Sequence, residues 1–346
     1  MNLPPYILNI LEQPAALQSA LAGFSADSLA PLADRLQSGE FSRLILTGMG
    51  SSHNAAYPAW LKLTALPIPV LHLNTAELLH YGRGLLDGRT LLWMNSQSGR
   101  SAEVVRLLED LKDQPPAFLL SLTNDLESPL ARSADLVVPL LAGPEATVST
   151  KTYINTLALL LLAAARLIGA DWQLLSRQMQ AAAAALQAYL ADWEAQVAVL
   201  DGLLGEVDQL VILGRGASMA AAWNGALIQK EAAKFQSEAL NAADFRHGPL
   251  EMVSPRLTAL VLQGDGRTAD LNRALALEIL QYGGKAFWLA DQTDGRIPSI
   301  LLPQVAQAVR PLVEIAPLQL LSILLARRAG LVPGAFRYVG KITLQE

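Results

Sequence analysis

Two stretches far apart in the chain share one pattern. RLILTGMGSSHNAAYPAW, from Arg43, and QLVILGRGASMAAAWNGA, from Gln209, each run a short apolar stretch into Gly-x-Gly-x-Ser and then into an alanine-rich segment with a tryptophan. The parallel recurs downstream, where Ser98-Gly99-Arg100-Ser101-Ala102-Glu103 is echoed by Asp265-Gly266-Arg267-Thr268-Ala269-Asp270. Gly48 precedes Gly99 by 51 residues, and Gly214 precedes Gly266 by 52. Matching signatures at matching offsets indicate a duplication. Strand, glycine turn and helix in that order predict an α/β domain, with a parallel sheet covered on both faces, in each copy.

The 346 residues, 52% of them hydrophobic, suffice for about two such domains. The expected layout is an N-terminal helical segment (1–39), a first domain (40–170), a connecting helical segment (171–206), a second domain (207–334) and a C-terminal tail (335–346). In the first domain, strands are expected at 43–47, 69–74, 90–95, 117–123 and 135–140. Helices are expected at 53–63 and 75–81, the latter capped by Thr75, and a long apolar helix at 152–168. In the second, strands are expected at 209–213, 257–263, 285–289 and 300–302. Helices are expected at 219–234 and 269–282, with a helical region at 304–329 interrupted by Pro317.

The strand at 90–95 leads into Ser96-Gln97-Ser98-Gly99-Arg100-Ser101, which opens a helix with Val104, Val105, Leu107, Leu108 and Leu111 at helical spacing. Free N–H groups at a helix start and the helix dipole favour an anion. Gly99 allows close approach of the backbone, and the hydroxyls can donate to phosphate oxygens. A plain capping loop needs only one serine; this density of hydroxyls favours a phosphate cradle. In the second copy Asp265 stands where Ser98 was, and a carboxylate repels phosphate. One phosphate site per chain is therefore expected, in the first half.

A net charge of −5 and few basic runs argue against nucleic acid as a partner. With no cysteine, disulfides and thiolate chemistry are excluded. His53, His72, His80 and His247 lack metal-ligand spacing, so neither a metal nor a cofactor is expected. No secretory signal is apparent, and the most apolar run, 157–165, is far short of the roughly 20 residues that span a bilayer. The expectation is a cytoplasmic protein without a membrane partner.

Asn224, Leu227, Ile228 and Glu231 fall on one helix face, which places a carboxylate beside apolar neighbours. Burial there would suit Glu231 to act as a general base, whereas exposure would pair it with Lys230 or Lys234. His247 sits on a turn fixed by Gly248-Pro249, a placement suited to proton transfer. Glu145 precedes Thr147-Val148-Ser149-Thr150-Lys151, which reads as a helix N-cap with a surface lysine, or as support for the neighbouring site. Lys341 lies near the chain end; an amine there could add to an open-chain carbonyl or stabilise an enolate.

Together these residues resemble the double SIS (sugar isomerase) family, most like the isomerase half of glutamine–fructose-6-phosphate amidotransferase and its stand-alone isomerase and deaminase relatives. The resemblance rests on 48–52, Ser96-Gln97-Ser98-Gly99-x-Ser101, Glu145 with Ser149-Thr150-Lys151, Gly214-Arg215-Gly216, Lys230-Glu231, His247-Gly248-Pro249 and Lys341. It implies two flavodoxin-like three-layer αβα halves in a homodimer. It also implies a phosphorylated sugar or amino sugar held by Ser51, Ser52, Ser96, Gln97, Ser98, Gly99, Ser101 and Glu145. Glu231 would move a proton between C1 and C2. His247 would open the sugar ring in the neighbouring subunit's site, and Lys341, on the tail, would close over the sugar. The synthase carries a glutamate and a lysine where Asn224 and Ile228 stand, and a cysteine-bearing glutaminase domain, so no glutaminase activity is expected. The set fits aldose–ketose isomerisation or amino-sugar-phosphate deamination of a hexose or hexosamine 6-phosphate. Alternatives are a non-catalytic sugar-phosphate sensor and a fructosamine-phosphate deglycase.

Overall fold

Alternate residues of the first sheet's strands feed two separate apolar layers, as side chains of period two require. Leu44, Leu46, Leu91, Trp93, Leu120 and Leu122 pack with Ala56, Ala59, Leu63, Leu159, Leu160 and Ala163. Ile45, Leu92, Met94 and Leu119 join Leu78, Val104, Leu107 and Leu108. In this computed structural model, which describes residues 3–338 and 340–345, the strands of that sheet are β1 (Arg43–Gly48), β2 (Val70–Asn74), β3 (Thr90–Asn95), β4 (Phe118–Thr123) and β5 (Leu136–Pro139). All pair in parallel, in the order β2-β1-β3-β4-β5.

The second sheet repeats the plan. Its strands are β6 (Gln209–Gly214), β7 (Ser237–Asn241), β8 (Leu257–Leu262), β9 (Lys285–Ala290) and β10 (Ser299–Leu301). Their order, β10-β9-β8-β6-β7, is the first sheet's order read from the other edge, again with parallel pairing. Both are the flavodoxin-like doubly wound arrangement. The chain is α/β with two five-stranded parallel sheets.

Residues 15–177 with 337–346 form one compact unit, here called the cradle unit; residues 1–14 with 178–336 form the other. The N-terminal residues join the second unit through buried side chains. The Tyr6 hydroxyl lies 2.9 Å from Ser322 Oγ, and the Gln13 and Gln319 amides exchange hydrogen bonds of 2.8 Å.

Several elements differ from the sequence reading. β7 was not anticipated, because its five residues are half-buried or exposed but for Ser237 and carry no apolar alternation. The first helix after β1 starts at Gly50 rather than at 53. The helix after β2 is capped by Asn74, whose side chain accepts from Ala76 N, while Thr75 turns its hydroxyl to Thr47. The segment 171–204 divides into Trp172–Ala191 and Trp193–Leu204, with Asp192 outside helical geometry. Pro317 does not interrupt its helix, Pro311–Arg328; burial of every residue from Pro311 to Ala326 offsets the one lost backbone bond.

Candidate functional site

β1 and β3 are the strands at which the first sheet's order reverses, and Gly48 and Asn95 end them side by side in register. Crevices beyond such strand ends are where doubly wound sheets bind ligands. A Cβ on Gly48 would lie 3.0 Å from the Asn95 carbonyl oxygen, so only glycine lets the two turns start this close. One turn carries Ser51 and Ser52, both half-buried in the first turn of the helix Gly50–Leu63. The other carries Ser96 to Ser101.

That second turn is fixed from below. Ser96 N donates to the Leu122 carbonyl at 3.1 Å, and the Gln97 carbonyl accepts from Asn124 N at 3.0 Å and Thr123 Oγ1 at 3.3 Å. Gly99 has φ +59° and faces Ser128. Ser96 Oγ accepts from Gly99 N at 3.1 Å, and Ser98 Oγ accepts from Arg100 N at 3.2 Å. Both hydroxyls thus act as acceptors within the turn, which leaves their O–H protons to be donated outward. Ser101 is the extended residue preceding the helix Ala102–Asp110, and its side chain makes no capping bond. Hydroxyl donors at a helix start are suited to an oxyanion. Arg100 is tied to Asp125 at 2.7 Å and to the Glu127 carbonyl at 3.1 Å.

Glu145 also lies in the cradle unit, with its side chain fully buried. Its Oε1 accepts from Thr150 N, Thr150 Oγ1 and Thr152 N at 2.9, 3.0 and 3.2 Å. Its Oε2 accepts from Thr152 Oγ1 and Lys341 Nζ, each at 2.6 Å. Burial pushes its carboxyl up, but the Lys341 charge and these bonds outweigh that and hold it below the ordinary glutamate value. Lys341 also donates to the Thr147 carbonyl at 2.6 Å. Two readings of the 147–151 stretch are corrected here. Lys151 is buried, donating to the Pro144 carbonyl at 2.7 Å, and the Thr150 hydroxyl serves Glu145 instead of capping the helix. Thr150 and Thr152 were missed as partners of Glu145; the hydroxyls spaced along 147–152 were the available signal.

Glu231 and His247 belong to the other unit. Glu231 is half-buried near the end of the helix Met219–Ala233, and Asn224 and Ile228 on the same face are fully buried. Neither polar atom of the Asn224 amide has a hydrogen-bond partner among the described residues. His247 is exposed on its turn, with its backbone N–H donating to the Asp244 carbonyl at 2.9 Å and Gly248 at φ +131°. The turn equivalent to the cradle is filled by its own carboxylate. Asp265 accepts from Arg267 N at 3.0 Å, Arg267 Nη2 at 2.8 Å and Thr268 Oγ1 at 3.4 Å. Ser218, the counterpart of Ser52, donates to the buried Glu314 at 2.7 Å. Among the described residues no group of three or more His, Cys, Asp or Glu could hold a metal ion, and no helix is long and apolar enough to cross a membrane.

The SIS domain family matches residues 40–166 and again 203–322. The chain belongs to the SIS family. SIS relatives include a glutamine–fructose-6-phosphate aminotransferase (isomerizing) from Pyrococcus horikoshii, 30% identical over 342 residues, covering 96% of this chain and 56% of that protein. The chain thus spans about half the length of the curated relatives it matches. Among solved SIS structures, the glucosamine-6-phosphate deaminase of Thermotoga maritima superposes with a TM-score of 0.79 at 21% identity, covering 99% of this chain and 100% of that one. The tagatose-6-phosphate ketose/aldose isomerase of Escherichia coli superposes with a TM-score of 0.82 at 19% identity, covering 98% and 97%. At such identities these two structures establish the shared fold.

Proposed function

We propose that the chain is an enzyme acting on a hexose or hexosamine 6-phosphate, either an aldose–ketose isomerase or an amino-sugar-phosphate deaminase. The reading is carried by the Ser96–Ser101 turn, whose hydroxyls accept within the loop and keep their protons for an anion. Ser51, Ser52, Gln97 and Gly99 complete the phosphate end. The Thermotoga glucosamine-6-phosphate deaminase and the Escherichia tagatose-6-phosphate isomerase act on this substrate class, which supports the reading.

The chemistry common to both reactions is proton transfer next to a carbonyl or imine. In the isomerase direction, Glu231 removes the proton from C2 of the open-chain aldose. The C–H electron pair becomes the C1–C2 double bond of an enediol as O1 takes up a proton. Return of the proton to C1, with loss of the O2 proton, gives the ketose. In deamination the same base removes the C2 proton of the open-chain amino aldose as O1 takes up a proton. Return of the proton to C1 turns the resulting enolamine into the C2 imine, and water adds to that imine and releases ammonia, leaving the ketose. His247, supplied by a second copy in a homodimer, is the proposed ring-opening acid–base group, and Lys341 the cation beside the sugar oxygens.

The test is incubation with a panel of hexose and hexosamine 6-phosphates, following ketose formation and ammonia release. Turnover of at least one member is expected. A sensor without catalysis is the second reading, favoured by the uncharged, buried Asn224 and Ile228 on the helix of Glu231. Binding across the panel with no turnover would replace the enzyme reading with that one.

A further inference from the structure

We propose that Glu145 is the positioning residue of Lys341, latching the tail onto the cradle unit without itself touching the phosphosugar. The proposal rests on Lys341 being the lysine of the sugar site.

The acceptor capacity of Glu145 is spent. A carboxylate offers about four lone-pair sites, and five donors already converge on this one: two backbone N–H groups, two threonine hydroxyls and the Lys341 ammonium. No site remains for a sugar hydroxyl or for a proton in transit. Four of the five donors belong to Thr150 and Thr152, at the start of the buried helix Lys151–Leu167. They fix the carboxylate without help from the tail, and the helix dipole favours the negative charge there. The ammonium is therefore received at a point set by the helix.

The tail is tied twice to the cradle unit. Lys341 bonds Glu145 and the Thr147 carbonyl, and two residues on, the Thr343 carbonyl accepts from Ala102 N at 3.1 Å. Ala102 is the first residue of the helix that the Ser96–Ser101 turn opens. The tail thus bridges the N-termini of two helices in one unit, and one of them is the cradle's own. Lys341 spends two of its three N–H donors on this latch, leaving one for a ligand.

The test compares Glu145→Gln, Lys341→Met and the double variant in the full chain. Amide hydrogen exchange over 340–345 and at Ala102 reports the latch. Each single variant is expected to lower tail protection by at least about tenfold, and the double variant to lower it no further, as a shared pair requires. Affinity for inorganic phosphate is expected to stay within about twofold of wild type in Glu145→Gln. On any panel substrate that wild type turns over, Glu145→Gln is expected to lower kcat at least about tenfold with KM little changed. Tail protection unchanged in Glu145→Gln, or additive losses in the double variant, would overturn the latch. A phosphate affinity lowered tenfold or more would make Glu145 a ligand residue and overturn the proposal equally. If no sugar phosphate is turned over, the enzyme reading fails, while the exchange cycle and the phosphate titration still decide the role of Glu145. Lys341→Met alters only a part-exposed tail residue, so the cycle keeps one leg even if Glu145→Gln fails to fold.

Discussion

Gly99 and Ser128 are packed so closely that a Cβ on the glycine would lie 2.2 Å from the serine hydroxyl oxygen. That hydroxyl caps the helix Pro129–Ser133 by accepting from Ala131 N. Gly99→Ala must therefore strain a positive φ and displace a cap at once. Each effect costs about 1–2 kcal/mol. The expected result is a stability loss of about 2–4 kcal/mol in urea titration, together with weakened binding of inorganic phosphate. Unchanged values in both would mean that the turn does not need its observed shape.

The two halves differ at Ser98 and Asp265, and the difference is transferable. Asp265 accepts from Arg267 N as Ser98 accepts from Arg100 N. Ser98→Asp should therefore fold while placing a carboxylate where the phosphate is proposed to bind. Like charges about 4 Å apart cost about 1–4 kcal/mol in partly solvated surroundings, or roughly 5- to 1,000-fold in affinity. Isothermal titration should give one phosphate monoester per chain for wild type and an affinity lowered by that factor for the variant. Two sites in wild type would contradict the reading of the second half.

Glu231→Gln removes the proposed base and leaves the cradle intact. Turnover of the panel substrate should fall about 10²–10⁴-fold, with phosphate affinity unchanged. Activity within a few-fold of wild type would sink the assignment.

Glu314 is expected to make stability depend on pH. Full burial pushes its carboxyl up to about 7 against the pull of Ser218 and Arg310. In the unfolded chain the group ionises near the ordinary glutamate value, so the folded state favours the protonated form. Its contribution is present below the unfolded pKa and is lost as pH rises toward 7 and beyond. Glu314→Gln keeps an acceptor for Ser218 and removes the titration. Denaturant midpoints at pH 5 and pH 8 should converge in the variant, with the gain at pH 8. A wild-type pH dependence that survives the substitution would point to another group.

The turn proposed as the cradle was legible because everything that shapes it is local. A buried strand, three serines and a glycine lie within a dozen residues, and the repeat set the frame for both sheets. β7 escaped because an edge strand need not be apolar. The repeat itself held the clue: Asn74 and Asn241 end their strands alike and each caps the next helix, onto Ala76 N and Ala243 N. The partners of Glu145 come from both sequence neighbours and the far tail, and no periodicity links Glu145 to Lys341. Glu314 carries no sequence signal of its own in an otherwise apolar helix, and its burial is set by what packs around it.

Asp265 gives the second half a built-in counter-anion, and that changes how each half responds to its surroundings. A domain that supplies its own anion gains nothing when a phosphate ester arrives. The first half keeps unspent donors, and an occupied cradle deepens its folded well by RT ln(1 + [L]/Kd). With the cradle occupied as proposed, saturating ester should slow local opening around Trp93 and leave Trp288 where it was, one half of the duplicated fold responding to the ester and the other not.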